Sequence, residues 1–406
     1  MSLDVHEIRK DFKPLDQMIN KKPLIYFDNA CMTLKPNQVI DAMNEYYYNF
    51  PGCHGRTFHR FGKLTTEKYQ ESRGIIADFL GAEKSNEIIF VRNTTEGINL
   101  VARSLKFEGN DVVVTLNTEH NSNLLPWQHL KHTRKIEHRI VELNPDLTFN
   151  MDNFKKAMDK NVRLVSMGHC SNLSGICIPA EDIIELAHKY GALVMLDGAQ
   201  SAAHHEIDVK ELDVDFFVVS FHKLLGPSGI GVLYGKENLL NKMPPYLLGG
   251  ETVTDTTYES LTLAPLPDKF EAGLQNYAGA MGAAAAAEYL QNITFKDIHE
   301  HITSLNERIT EKILSLSDVS IIGPKEPSKR SGILNIVVKD MKALEVAHIL
   351  NESNNIMVRA GVHCVHSWFN ANKVPHSLRS SFYLYNTSDE IDIFFENLKN
   401  IIKFFK

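Results

Sequence analysis

Five cysteines in 406 residues, odd in number and irregularly spaced, are too few for a disulfide framework. A thiol that matters in such a chain is expected to matter chemically. No apolar run approaches the ~18 residues a membrane span needs, and the opening Met1-Ser2-Leu3-Asp4-Val5-His6-Glu7 lacks a signal-peptide pattern. A cytoplasmic protein without membrane contact is the expectation. Positive charge is also short: the net charge is −7 and no basic stripe occurs, which argues against nucleic acid as the main partner. The rest is ordinary, with 43% hydrophobic and 23% charged residues as in a packed globule, and the length suggests about two or three domains.

The most informative stretch runs from Gly191 to Gly235. Ala192 to Leu196 is a short apolar run that suits a strand covered on both faces, and Asp197 stands at its carboxyl end, where open α/β sheets hold ligands. Phe216 to Val219 is a second such strand, running into Ser220-Phe221-His222-Lys223 and a Gly-Pro turn, and Ile230 to Tyr234 is a third. An acid and a lysine therefore sit at neighbouring strand ends. Lysine there can form a Schiff base, and a buried Asp can keep a pyridine nitrogen protonated.

Asp197-x-x-Gln200 followed by Ser220-x-His222-Lys223-x-x-Gly226-Pro227 resembles the pyridoxal phosphate (PLP) site of the class V aminotransferase group, in its cysteine desulfurase and selenocysteine lyase branch. The resemblance spans Tyr26 to Asn386. It implies an α/β protein of the PLP-dependent transferase fold (fold type I), with a mainly parallel seven-stranded-type sheet and a smaller α+β domain. Lys223 would carry pyridoxal 5'-phosphate, Asp197 would pair with its ring nitrogen, Gln200 would meet the phenolic oxygen, and Ser220 and His222 would contact the phosphate.

Other segments extend the resemblance. Asn93-Thr94-Thr95-Glu96-Gly97 opens a helix, and hydroxyls with free amides at a helix start bind anions; the resemblance makes Thr94 and Thr95 phosphate ligands. It likewise assigns His120 to stack on the ring and move protons, Asn172 to the ring side, and the backbone around Ala30 to the substrate. Cys31 reads as a packed thiol, and Cys170 and Cys177 as core thiols. The His- and Arg-rich segment Gly52 to Arg60 is either a loop over the active site or a solvated loop. Asn276 and Tyr277 stand where the group has a hydroxyl reaching the neighbouring subunit's phosphate, so either could replace that contact in a homodimer.

Alternation of strands and helices from 85 to 235 argues for the parallel sheet. Residues 1 to about 20 are expected to be a charged helix, and Met243 to Ala264 a projecting arm. The expected division is a large PLP-binding domain over 21–282 and a small domain from 1–20 and 283–406.

A second stretch, Arg359-Ala360-Gly361-Val362-His363-Cys364-Val365-His366, is a loop with one cysteine among positive neighbours, which favours a thiolate. It resembles the short-loop Arg-x-Gly-x-His-Cys of group II desulfurases, which implies that Cys364 takes sulfur from the substrate. A structural cysteine, or a zinc site with His363 and His366, is the other reading. Arg379 is expected to fork onto the substrate α-carboxylate, with Arg359 structural. No metal is expected. Together the resemblance implies a cysteine desulfurase that turns L-cysteine into alanine, leaving a persulfide on Cys364 for an acceptor protein, commonly in iron–sulfur cluster assembly. Selenocysteine lyase, another class V aminotransferase or β-lyase, and a non-catalytic scaffold are the alternatives.

Overall fold

The structure is a computed structural model that describes residues 3–55 and 57–405. Met1, Ser2 and Arg56, all in segments read above, lie outside the described residues. The apolar runs between residues 88 and 235 form one seven-stranded sheet. Its strands are β1 (Ile88–Val91), β2 (Val112–Leu116), β3 (Glu137–Val141), β4 (Val162–Gly168), β5 (Leu193–Asp197), β6 (Phe216–Ser220) and β7 (Gly231–Gly235). Their spatial order is β1-β7-β6-β5-β4-β2-β3. Neighbours are parallel except around β7, which is antiparallel to both β1 and β6. The turn between β6 and β7 is too short for the crossover a parallel pair requires.

Strands β1, β2, β6 and β7 are buried at every residue, as strands covered on both faces must be. Helices from the intervening segments supply the cover, among them Thr94–Ser104, Asn121–Thr133 and Ala180–Lys189. An Ala- and Gly-rich helix, Tyr277–Asn292, packs against helices Asn37–Asn49 and Arg60–Leu80. Beneath them Arg73 forks onto Glu271 at 2.7 and 2.9 Å, both side chains being almost fully buried.

A smaller antiparallel sheet, β8 (Val319–Ile321), β9 (Ile333–Val338), β10 (Arg359–Gly361) and β11 (Ser377–Ser381), has the order β8-β9-β11-β10. Helices Phe295–Leu314, Ala343–Asn354 and Ser388–Phe404 close a core of their own over it, including Leu305, Leu334, Ile336 and Phe394. Ile25 and Phe27 join that core, because strand Ile25–Tyr26 pairs in parallel with Ile356–Met357. This pairing carries the following turn, Asp28 to Ala30, to the junction of the two sheets.

The single helix expected near the start is instead two short pieces, Val5–Arg9 and a 3₁₀ turn Lys13–Asp16. Pro14 is the reason: it is tolerated in the first turn of the second piece, but without an N–H and with a bulky ring it cannot continue the first. The arm appears as an exposed hairpin, Val253–Thr256 with Leu261–Leu263. No helix of the described residues is long and apolar enough to cross a membrane.

Candidate active site

At the carboxyl ends of β4, β5 and β6 lies a cavity of about 250 Å³. It is lined by all the residues assigned from the lysine motif and its companions: Asp197, Gln200, Ser220, His222, Lys223, Thr94, Thr95, His120, Asn172 and Ala30. Arg379 and Cys364 line it too, so segments more than a hundred residues apart meet there.

Strand register does most of the placing. Asp197 is the last residue of β5 and pairs with Val218 of β6, so the lysine turn after Ser220 emerges beside it. Asp197 is buried and its Oδ1 accepts from Ala199 N–H at 2.9 Å. Desolvation raises its pKa, opposed by that hydrogen bond and by the charge of Lys223. For Lys223 desolvation lowers the pKa, opposed by Asp197. Each thus favours the other's charge while burial disfavours both.

The anion corner is built from two chain segments. Asn93 caps the helix that starts at Thr94, its side chain accepting from Glu96 N–H. Ser220 Oγ, at the end of β6, accepts from Thr94 N–H at 2.8 Å and lies 2.7 Å from Thr94 Oγ1. Gly231 permits this approach: a Cβ there would come within 2.6 Å of Val219 O and 2.8 Å of Asn93 Cα. Thr95 is more exposed and bonds Ser122 Oγ. A helix N-terminus with two hydroxyls suits a phosphate.

His120 caps the helix that follows it, its Nδ1 accepting from Ser122 N–H at 3.1 Å. Burial, with Lys223 and the arginines nearby, pushes its pKa down to about 3, so the ring is neutral with its proton on Nε2. Gln200 Nε2 donates to Ala30 O at 2.8 Å. Asn172 spans two functional groups: its Nδ2 donates to His363 O at 2.7 Å, and its own carbonyl accepts from Arg379 Nη1 at 3.0 Å. Arg379 is 2% exposed, faces Asp28 at 3.4 Å through Nη2, and has no partner for its buried Nε.

The cysteine loop is conformationally marked. His363 and Cys364 both have positive φ, 49° and 60°, a region non-glycine residues enter at a cost. The loop is held by Cys364 O accepting from Asn121 N–H at 2.8 Å, by the Asn172 bond, and by His363 Nε2 at 2.9 Å from Ser377 Oγ. Desolvation holds His363 down at about 3, so it is neutral. Cys364 is a half-buried free thiol facing the cavity.

Several readings need correction. Cys31 is not packed away: it lines the cavity, and its sulfur accepts from Arg359 Nη1 at 2.6 Å. Arg359, read as structural, lines the cavity as well. Cys170 and Cys177 are not free core thiols but form a disulfide. The turn between them brings the two residues opposite each other as a bridged pair, with Gly175 at positive φ completing the return. Among the described residues of the 52–60 segment and the Asn276–Tyr277 pair, none lines the cavity within one chain. His54 packs on Tyr69 and Tyr277 instead, and Asn276 caps the helix Tyr277–Asn292.

Two acids escaped the sequence reading. Glu119 lines the cavity fully buried, with Gly168 N–H and Asn123 Nδ2 donating to its two oxygens; burial nonetheless pushes its carboxyl up to about 8. Asp28 lies between Arg379 and Arg359, and desolvation raises its pKa against both.

A class-V aminotransferase family profile matches residues 25–394. A probable cysteine desulfurase of Halalkalibacterium halodurans is 38% identical over 407 aligned residues, covering 99% of each chain. One from Staphylococcus aureus is 36% identical over all of this chain and 98% of its own. Among solved structures, an apo cysteine desulfurase from Thermococcus onnurineus NA1 superposes with a TM-score of 0.94 at 35% identity, covering 99% of both chains. A cysteine desulfurase from Escherichia coli in an S-sulfonic acid form gives 0.91 at 29% identity, covering 100% of both.

The cofactor of this family is pyridoxal 5'-phosphate, and the residues present fit it. A buried carboxylate at one end of the cavity, a helix N-terminus with hydroxyls at the other and a desolvated lysine match the ring nitrogen, phosphate and aldehyde of one small molecule. On the profile match and full-length relatives together, the chain belongs to the class-V aminotransferase family.

Proposed function

We propose that this chain is a PLP-dependent cysteine desulfurase that converts L-cysteine to L-alanine and keeps the sulfur as a persulfide on Cys364. The single observation that carries the reading is the convergence of Lys223, Arg379 and Cys364 on one cavity.

Lys223 would hold the cofactor, with Asp197 at the ring nitrogen, Gln200 at the phenolic oxygen, His120 and Asn172 beside the ring, and Thr94, Thr95, Ser220 and His222 at the phosphate. Once bound, the protonated ring supplies a sink for the electron pair released at the substrate Cα. Arg379 takes the α-carboxylate with the second N–H of each Nη, the first being held by Asn172 O or facing Asp28. Lys223, its ammonium disfavoured by burial, takes up the Cα proton as a base and becomes the ammonium. His120 presents Nε2–H to the ring and substrate side. Cys364 thiolate attacks the substrate sulfur: an S–S bond forms, the C–S bond breaks, and its electron pair stays with the carbon that becomes the alanine methyl.

A homodimer accords with exposed apolar side chains on or beside the Asn37–Asn49 and Arg60–Leu80 helices, notably Tyr47, Tyr48, Phe58 and Phe61. In it the 52–60 segment and Asn276 or Tyr277 would serve the neighbouring cavity. The division into a large domain over 21–282 and a small one from 1–20 and 283–406, the cytoplasmic location and the sulfur-acceptor protein belong to the same proposal.

The test is to mix purified protein with PLP and L-cysteine and follow alanine and thiol mass. One persulfide mapped to Cys364 is expected; Cys364→Ala should keep the yellow cofactor and release no sulfur, and Lys223→Ala should lose turnover. Full desulfurase activity in Cys364→Ala would overturn the assignment. Selenocysteine and a keto-acid acceptor, run alongside, separate the lyase and aminotransferase alternatives.

A further inference from the structure

The Cys170–Cys177 pair stands outside the reaction just described, yet it shares a wall with it. Cys170 is buried and lines the cavity; Cys177, seven residues on, is half-buried on the other limb of the same tight turn. The turn is closed by Ser171 N–H to Ile176 O and Ile178 N–H to His169 O, and the two cysteines face each other across it as a bridged pair. Cys177 Sγ is 3.3 Å from His205 Nε2 and 3.5 Å from Ser331 Oγ, and those two groups are 2.9 Å apart.

Between the two cysteines lies Asn172, the residue that ties the cysteine loop, through His363 O, to the carboxylate-binding Arg379. The turn is therefore the base on which the nucleophile and the substrate arginine are aligned. We infer that Cys170 and Cys177 are a reversible thiol–disulfide site whose closed form holds Asn172 in place and so sets the position of Cys364.

The chemistry has an attacking and a resolving thiol. Cys177 is the more accessible, and His205 Nε2 and Ser331 Oγ, both within hydrogen-bond reach of its sulfur, can donate to the thiolate that solvent base generates. Its thiolate attacks one sulfur of a low-molecular-weight disulfide, breaking that S–S bond and releasing one thiolate. Cys170 thiolate then attacks the Cys177 sulfur, the mixed S–S bond breaks, and the second thiolate leaves. Two electrons pass from the pair to the small disulfide, and the two protein thiol protons end on the two departing small thiols. A dithiol reductant reverses each step.

The effect on catalysis rests on the desulfurase reading; the redox chemistry does not. The holoenzyme is equilibrated in glutathione buffers of graded ratio, quenched, denatured, alkylated and weighed. All five cysteines should be alkylated at the reducing end, and only the three that are free in this structure at the oxidising end, with Cys170 and Cys177 recovered in one unalkylated peptide. Five labels at every ratio would overturn the site, as would a stoichiometric zinc ion held by both thiols and His205 in the reduced protein.

Single-turnover alanine formation is then timed in both forms after reductant is removed. Weakening one hydrogen bond of the Asn172 type corresponds to roughly a 3- to 10-fold slower first turnover in the reduced form. Cys177→Ser should be equally slow in both buffers. Equal rates in the two wild-type forms would sink the coupling. Absence of alanine in either form would count against the desulfurase reading alone, because the alkylation pattern is read without it.

Discussion

Replacing Arg379 by lysine keeps the charge and removes the fork, and the structure indicates what that costs. Nη1 gives one N–H to Asn172 O at 3.0 Å and Nη2 faces Asp28 at 3.4 Å, which leaves the second N–H of each nitrogen for the substrate. A lysine has one nitrogen at the end of a flexible stem and cannot serve Asn172, Asp28 and a carboxylate at fixed positions together. Losing one charge-assisted hydrogen bond costs about 1.5–3 kcal/mol, and an Asn172 carbonyl left short of a donor adds about 1 kcal/mol. The sum, about 2.5–4 kcal/mol, is roughly a 70- to 1000-fold fall in kcat/KM for cysteine. Steady-state alanine formation over a range of cysteine concentrations measures it, and the cofactor's visible absorbance checks that the site still fills. A kcat/KM within about three-fold of the wild type, with cofactor bound, would refute the carboxylate assignment. So would a loss traced entirely to weaker cofactor binding.

Glu271→Gln should leave the buried Arg73 guanidinium short of its counter-charge and destabilise the chain by about 3–5 kcal/mol, read as a lower urea midpoint. Gly231→Ala forces a methyl against the backbone at Val219 and Asn93; overpacking of about 1–3 kcal/mol is expected, with faster loss of cofactor on dialysis as the Thr94 turn moves off Ser220. Acid should unfold the protein early. His120, His204 and His363 have folded pKa values pushed down by burial to about 3, so between the ordinary histidine value and 3 the unfolded state binds more protons, and stability is lost as pH falls through that window. Glu119 acts in the opposite sense: its folded pKa, raised to about 8, gives stability that is full below the ordinary carboxylate value and lost as pH rises toward 8. Denaturant midpoints from pH 4 to 9 should therefore peak in between, and His204→Phe should flatten the acid limb.

The parts of this molecule that could be read from sequence are those whose chemistry and geometry are local. Asp197 and Lys223 each end a short apolar strand, and strand ends in a parallel sheet point to one edge, so the sheet converts a linear pattern into a site. Strand β3 was missed because Glu137, His138 and Arg139 interrupt its apolar pattern; it is an edge strand with mostly unburied residues, for which apolarity is not required. The disulfide was missed for a different reason. A cysteine count speaks to frameworks spanning a domain, whereas Cys170 and Cys177 are joined by a turn whose closure depends on Gly175.

Asp28 marks the boundary of that kind of reading. In sequence it lies two residues beyond the end of a two-residue strand and has no basic residue beside it. Its role arises only when Ile25–Tyr26 pairs with Ile356–Met357 and Ser381 N–H bonds to Phe27 O, contacts that span more than three hundred residues. They set its carboxylate between Arg379 and Arg359, two cations that would otherwise repel across the space where a substrate carboxylate and a thiolate must both fit. An acid there restrains the two guanidiniums without neutralising both, since two positive charges face one negative charge that burial itself weakens. At this end of the cavity two guanidiniums thus face one carboxylate, beside the place where the proposed substrate carboxylate and Cys364 would meet, and that balance comes from strand pairing between the beginning and the end of the chain.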